Sequence, residues 1–168
     1  YSFNEKFFDK IDNEASVYFL GLMYADGYNN QNKGVVRIAL QARDKQILDV
    51  LCEKINCTRG VKQSREANEK HQAQVGCMWS GRYMSNKLAD LGCGQNKTFN
   101  ISFPTFIDKS LIHHFIRGYF DGDGSFKKSS DKYYAFNLCG TKEFLLKCQE
   151  IFNKHTKLEK RYKNNFKT

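Results

Sequence analysis

Two aspartates, Asp26 and Asp123, hold the same place in two similar stretches of the chain, FLGLMYADG at residues 19–27 and IRGYFDGDG at residues 116–124. Carboxylates brought side by side repel each other unless a cation lies between them. A divalent metal held in that way activates a water and stabilises a departing oxygen, which is what phosphodiester hydrolysis requires. The candidate chemistry is therefore metal-assisted hydrolysis, provided that something brings positions 26 and 123 together.

Small residues supply the means. Gly21 and Ala25 precede Asp26 by five and one residues, and Gly118 and Gly122 precede Asp123 by the same steps, a constant offset of 97 (118 − 21, 122 − 25, 123 − 26). On two apolar helices, small residues at i and i+4 let the backbones approach closely. Helices paired through Gly21, Ala25, Gly118 and Gly122 would end with both aspartates at one point. A helix C-terminus disfavours negative charge, so acids placed there call for a cation.

The segments after the two aspartates repeat as well. Asp26 leads into a polar hairpin from Tyr28 to Gly34, an alternating strand with Val36, Ile38 and Leu40, and a helix capped by Asp44 with Ile47, Leu48, Leu51 and Ile55 at helical spacing. After Asp123 come a turn-prone loop from Lys127 to Lys132, a strand with Tyr134, Phe136 and Leu138, a cap at Thr141, and Phe144, Leu145, Cys148 and Phe152 on a helix. The helices keep the offset of 97, and matching the apolar strand residues takes 98 (136 − 38, 138 − 40). The first copy continues into strands near Val61–Glu66 and Gln74–Trp79, a helix from about Gly81 to Leu91 and a polar linker from Gly92 to Pro104. The second copy stops before its last strand and helix, and the chain opens on Tyr1, which together suggest a fragment or a truncated second half. The expected organisation is a first half over residues 1–104 with its linker, and a second, incomplete half over 105–168.

Strand alternation assigns faces. With Val36, Ile38 and Leu40 turned to the helices, Arg37, Ala39 and Gln41 point away, together with Tyr28 and Asn30 on the preceding strand. In the second copy Tyr134, Phe136 and Leu138 turn inward, leaving Tyr133, Ala135 and Asn137, with Ser125 and Lys127, on the outer face. Arg, Lys, Asn and Gln on a twisted ribbon are residue types that read base edges in a major groove. The balance of 27 Lys+Arg against 18 Asp+Glu, a formal net charge of +9 spread along the chain, suits a phosphate-backbone partner.

An aromatic fraction of 14% and one proline argue against disorder. No apolar run is long enough to span a membrane, and no signal peptide opens the sequence, so a soluble protein of a phage or bacterial cytoplasm or an organelle is expected. The six cysteines form no C-x-x-C pair; Cys52 and Cys148 fall at apolar helical positions as small hydrophobes, and Cys57, His71 and Cys77 match no usual zinc spacing. His71, His113 and His114 read as ordinary polar-loop and helix residues, and Arg117 as a member of an ion pair or of the basic group near the centre.

The two nonapeptides, with the strand-and-helix pattern after each, resemble the signature of the LAGLIDADG homing endonucleases of the two-motif, single-chain type. The resemblance spans about Phe8 to Phe152. It implies an α+β fold of two pseudo-symmetric α-ββ-α-ββ-α halves meeting at paired motif helices, and a site-specific double-strand DNA endonuclease. Mg²⁺ is the implied cofactor, with Mn²⁺ as substitute, at a metal site of Asp26, Asp123, Ala25 and Gly122. The implied partner is double-stranded DNA with a long asymmetric target site, bound by a monomer with an internal pseudo-dimer, a mobile genetic element's product encoded within an intron or free-standing. The same family often places a lysine where Lys97 stands in the linker, making Lys97 the third catalytic candidate. Tyr24 departs from the pattern where the second copy has Asp121, and Tyr28 replaces the small residue found at Ser125. A non-cleaving nucleic-acid-binding relative, such as an intron maturase or regulator, or an inactive remnant of a mobile element, is the competing reading; the retention of both aspartates favours the enzyme.

Overall fold

The computed structural model describes residues 1–95, 97–130 and 133–155. Helix α1 (Glu14–Ala25) starts at Asn13, whose side chain accepts a 3.0 Å hydrogen bond from the Ser16 amide, and it is apolar nearly all round. Such a helix belongs in the middle of a core. Strands β1 (Gly27–Asn30) and β2 (Val35–Gln41) come next, then α2 (Lys45–Lys54), β3 (Lys62–Arg65), β4 (Gln74–Ser80) and α3 (Arg82–Asp90). The strands form one antiparallel sheet in the order β1-β2-β4-β3. Its inner face carries Val36, Ile38, Leu40, Cys77 and Trp79, all buried together with Leu48 and Leu51 of α2 and Met84 and Leu88 of α3.

The linker after Gly92 contains a one-turn helix, α4 (Lys97–Asn100), and leads to α5 (Ile112–Asp123), which packs along α1. Then come β5 (Gly124–Ser130) and β6 (Tyr133–Leu138), a two-stranded antiparallel sheet, and α6 (Lys142–His155). The order helix, strand, strand, helix thus occurs twice, in an α+β molecule with antiparallel sheets. The described residues end with α6 at His155.

Most expected elements form within a residue or two of their expected limits, and the differences have local causes. Gly27 pairs with Ile38, and Gly124 pairs with Leu138. The structural counterpart of Ile38 is therefore Leu138, at an offset of 100 (138 − 38), not the 98 that best aligns the apolar residues. Because 98 and 100 are both even, the assignment of faces survives the shift. The three surplus hairpin residues are recovered before the helix. Six residues, including the 3₁₀ turn Ala42–Asp44, separate Ile38 from α2, and three separate Leu138 from α6.

Asp44 stands at the N-cap of α2 but makes no side-chain capping bond, and pairs with Arg43 at 3.6 Å. Thr141 does cap α6, its Oγ1 accepting from the Phe144 amide at 3.4 Å while donating to the Ile101 carbonyl at 2.8 Å. The loop expected from Lys127 is instead strand to Ser130; its remainder, 131–132, and Asn96 of the linker lie outside the described residues. Tyr134 and Phe136, expected to turn to the core, share the inner face of their hairpin but are not covered. Phe136 stacks on Phe120 and meets Phe152 edge-on, and Tyr134, 63% exposed, stacks on Phe126. In the first sheet the corresponding region is closed by β4 and α3.

Candidate catalytic centre and nucleic-acid interface

The pairing of α1 with α5 is set by glycine. A Cβ on Gly21 would run into the Phe115 carbonyl oxygen and lie 2.9 Å from the Tyr119 nitrogen, and one on Gly118 would run into the Tyr18 carbonyl. Backbone meets backbone at both places, so no side chain can yield. At the C-terminal end, a Cβ on Gly122 would strike the Ala25 methyl and approach Asp26 Oδ2 to 2.9 Å. The four small residues thus form the expected interface, and the two helices end together.

Asp26 caps α1 in a right-handed conformation with its amide donating to the Leu22 carbonyl at 2.9 Å, and Asp123 is the last residue of α5. Neither helix has a basic residue in its last turn. Asp26 opens to solvent on one side, yet the protein packed around the other, and then the charge of Asp123, push its carboxyl up to about 6, with Lys97 opposing. Burial also raises Asp123, against the lowering influence of Lys97 and of a hydrogen bond from Tyr119. Lys97 is half-buried beside them, and that burial lowers its own proton affinity while Cys93, Asp123 and Asp26 raise it. Its Nζ donates to the Ala25 carbonyl at 2.7 Å.

The donor set suits a hard divalent cation. Two carboxylates are held in mutual repulsion where the helix dipoles add further negative potential, and Asp26 is open to solvent on one side. Among the described residues, no group of three or more His, Cys, Asp or Glu side chains is placed to hold a metal ion, so metal coordination by Asp26 and Asp123 would be completed by substrate oxygens, water or backbone carbonyls. Of the neighbouring residues, Ala25 has a carbonyl that already accepts from Lys97, and Gly122 contributes the room in which Asp26 sits.

The linker that carries Lys97 is tied at its start to the first sheet. Buried Asn29 of β1 donates from Nδ2 to the Ser85 carbonyl at 2.7 Å and the Cys93 carbonyl at 2.9 Å, and its Oδ1 accepts from the Ser85 hydroxyl at 2.5 Å. This ties α3 and the start of the linker to β1, and Gln95 adds a 3.4 Å bond to Asn30. Residue type alone does not single out Asn29. Its signal is positional: an amide between two outward-facing neighbours must turn inward, and an inward amide needs partners.

The outer sheet faces fall where alternation puts them. Tyr28, Arg37 and Gln41 are exposed; Asn30 is half-buried, its Nδ2 donating to the Tyr28 hydroxyl at 3.1 Å. In the second sheet Lys127 and Asn137 are exposed, and Asn137, paired directly with Ser125, donates to its hydroxyl at 3.4 Å. Tyr133 begins β6, and its side chain is outside the described set. The register adds residues that alternation along β1 and β2 does not reach. Arg37, Ala39 and Gln41 lie opposite Met78, Gly76 and Gln74, and beyond those, Lys62 and Arg65 of the edge strand β3 lie opposite Gly76 and Gln74. The all-polar stretch KQSR at residues 62–65 is the signal for them in the sequence.

Several other polar residues have structural partners. Tyr18 donates to Asp121 Oδ2 at 2.7 Å, Arg117 bonds Glu14 at 2.9 Å and lies over the Tyr18 ring, and His114 approaches Glu14 at 3.5 Å. Arg117 is therefore engaged in an ion pair with Glu14 on α1. Tyr24 packs edge-on against Phe115 and donates to the Leu91 carbonyl. His71 sits in an exposed turn with Asn68, away from any metal-like grouping among the described residues.

Fold and site define an α+β protein with two like helices that end in a shared pair of acids between antiparallel sheets. Residues 110–168, the segment that begins just before α5 and contains Asp123, β5, β6 and α6, match the family model of the LAGLIDADG-like domain. No curated protein matches the chain.

Proposed function

We propose that the chain is a homing-type endonuclease that cuts both strands of double-stranded DNA at a long asymmetric site, with Mg²⁺ or Mn²⁺ held by Asp26 and Asp123. The observation that carries this reading is the convergence of the two raised-pKa carboxylates at the ends of α1 and α5. A divalent ion bound there supplies an activated water and charge stabilisation for the leaving oxygen. The residues do the rest. Asp26 and Asp123 provide the hard anionic donors, and Lys97 sets a fixed positive charge beside the phosphate. Tyr28, Asn30, Arg37 and Gln41 on one sheet, and Ser125, Lys127, Tyr133 and Asn137 on the other, hold the two arms of the duplex. Because residues 1–104 and 105–168 form the two halves of a pseudo-dimer with different contact residues, the target reads differently on each side of the cut. The location in a phage or bacterial cytoplasm or an organelle, and a mobile genetic context, belong to the same reading.

The test is cleavage of a supercoiled plasmid library carrying randomised inserts, with Mg²⁺ or with EDTA. Linear products that need the metal and vanish in Asp26→Asn and Asp123→Asn support the proposal. Salt-sensitive duplex binding without cutting, in Mg²⁺ or Mn²⁺, would make the protein a binder; with about 6 to 10 phosphates contacted, log K should fall with log salt at roughly −0.9 per phosphate. A flat salt response would remove nucleic acid as the partner.

A further inference from the structure

Six cysteines are present in the sequence, all as free thiols, and two of them face each other inside the first half. Cys52 of α2 and Cys77 of β4 are buried with their sulfurs 3.1 Å apart. A disulfide needs about 2.05 Å between sulfurs, so bonding the pair requires only a small closing movement. A third thiol lies at the entrance. Cys57 is partly exposed, and its amide donates at 2.7 Å to the Cys52 carbonyl because Asn56, at φ 52°, turns the chain back over the end of α2. That bond sets Cys57 beside Cys52 at the end of α2, packed against the same core.

We infer that Cys52, Cys57 and Cys77 form a peroxide-driven thiol relay whose end product is a reversible disulfide between α2 and β4. The Cys57 sulfur attacks the peroxide; the O–O bond breaks, the thiol becomes a sulfenic acid, and its proton leaves with the departing oxygen, as one water when the oxidant is hydrogen peroxide. Cys52 sulfur attacks the Cys57 sulfur, and the hydroxyl departs as a second water with the Cys52 proton. Cys77 sulfur then attacks Cys52, the Cys52–Cys57 bond breaks, and Cys57 recovers its thiol with the proton from Cys77. In sum, two thiols and one hydrogen peroxide give one disulfide and two waters. Hydrogen bonding from Cys77 favours the thiolate of Cys52, which suits Cys52 as the attacking group in the middle step.

The bond would close a loop of 25 sequence steps that contains β3, the edge strand bearing Lys62 and Arg65. It would pin the helix beneath the sheet to the strand that joins β2 to β3, leaving the outer face untouched. Cross-linking restricts the unfolded chain, so the oxidised protein should be the more heat-resistant form.

The experiment treats the full chain with a modest excess of hydrogen peroxide, quenches with an alkylating agent, and maps tryptic peptides before and after dithiothreitol. The expected result is the joined pair of peptides 46–54 and 71–82, lost on reduction, with a melting temperature several degrees above that of the reduced protein. Cys57→Ser should slow its formation several-fold, and Cys139→Ser, at an exposed thiol outside the cluster, should leave the rate unchanged. Oxidation that leaves Cys52 and Cys77 fully alkylated, or a stable end product joining Cys57 or Cys139 to another cysteine, would overturn the inference. An unaltered rate in Cys57→Ser would overturn the relay.

Discussion

The Lys97 ammonium donates a 2.7 Å hydrogen bond to the carbonyl of Ala25, the residue before Asp26. A linker residue thus sets a positive charge at the C-terminal end of α1, where the peptide dipoles leave partial negative charge and where two carboxylates converge. The cation offsets the repulsion between Asp26 and Asp123, and in the proposed endonuclease it would lie beside a phosphate. Replacing it with Met preserves much of the apolar stem while removing the charge. Lys97→Met should lower the single-turnover cleavage rate on the order of a hundredfold while changing duplex affinity little, checked by quenched cleavage time courses and gel shifts.

The raised carboxyl of Asp26, at about 6, fixes the pH dependence. Below about 6 the metal-free protein holds a proton on Asp26 and loses a metal-binding anion, so at subsaturating Mg²⁺ the cutting rate should fall as pH is lowered through that value. Stability of the metal-free protein should run the other way. Between the ordinary carboxylate range and about 6, native Asp26 binds more proton than the unfolded chain does, so stability contributed by this group is present at low pH and is lost as pH rises through about 6. Asp123 shifts in the same direction. Urea unfolding in EDTA across this window should show the trend in wild type and a flatter one in Asp26→Asn, which should also be the more stable protein at neutral pH without metal.

Gly118 faces backbone atoms of Tyr18 and Leu22 with no space for a methyl group. Gly118→Val should force α1 and α5 apart and cost at least about 1–3 kcal/mol by overpacking, together with cleavage activity, because the aspartates separate. Denaturant midpoints and plasmid cutting measure both consequences.

Asn29→Ala should leave the Ser85 hydroxyl and the Ser85 and Cys93 carbonyls short of a partner in the interior, destabilising the protein by about 1–3 kcal/mol. Since the same amide anchors the start of the linker that carries Lys97, cleavage should fall by more than the folded fraction does. Comparing activity with circular dichroism under one set of conditions separates the two effects.

The two sheets should read separate halves of a target. Arg37→Ala should relax discrimination at positions in one half-site, by about 1–3 kcal/mol per base pair if the contact is bidentate, and Lys127→Ala should act only in the other half. Selection of cut sequences from a randomised plasmid library with each variant reports which half loses preference.

Much of this arrangement is legible in the sequence because it rests on local periodicity. The repeated small residues at 21, 25, 118 and 122 predict which helices pair and which faces meet, since at a backbone contact the only question is whether a Cβ fits. Alternation along β2 places Arg37 and Gln41 outside and Ile38 inside, because side chains of a strand must alternate. Parity also protects the second hairpin, whose register differs by two residues from the expected one without any face being reversed.

Other features depend on distant parts of the chain and have no local signal. Asn29 is a buried junction because Ser85 and Cys93, more than fifty residues away in sequence, supply its partners. Tyr134 and Phe136 have the residue types of an inner face but are partly uncovered, since burial is decided by what packs on a strand and not by its own pattern. The facing of Cys52 and Cys77 depends on where α2 crosses β4. Asp26 and Asp123 show both contributions: the sequence by itself determined that two acids end two like helices, and only the tertiary packing made them one electrostatic site, because repulsion and burial act through space.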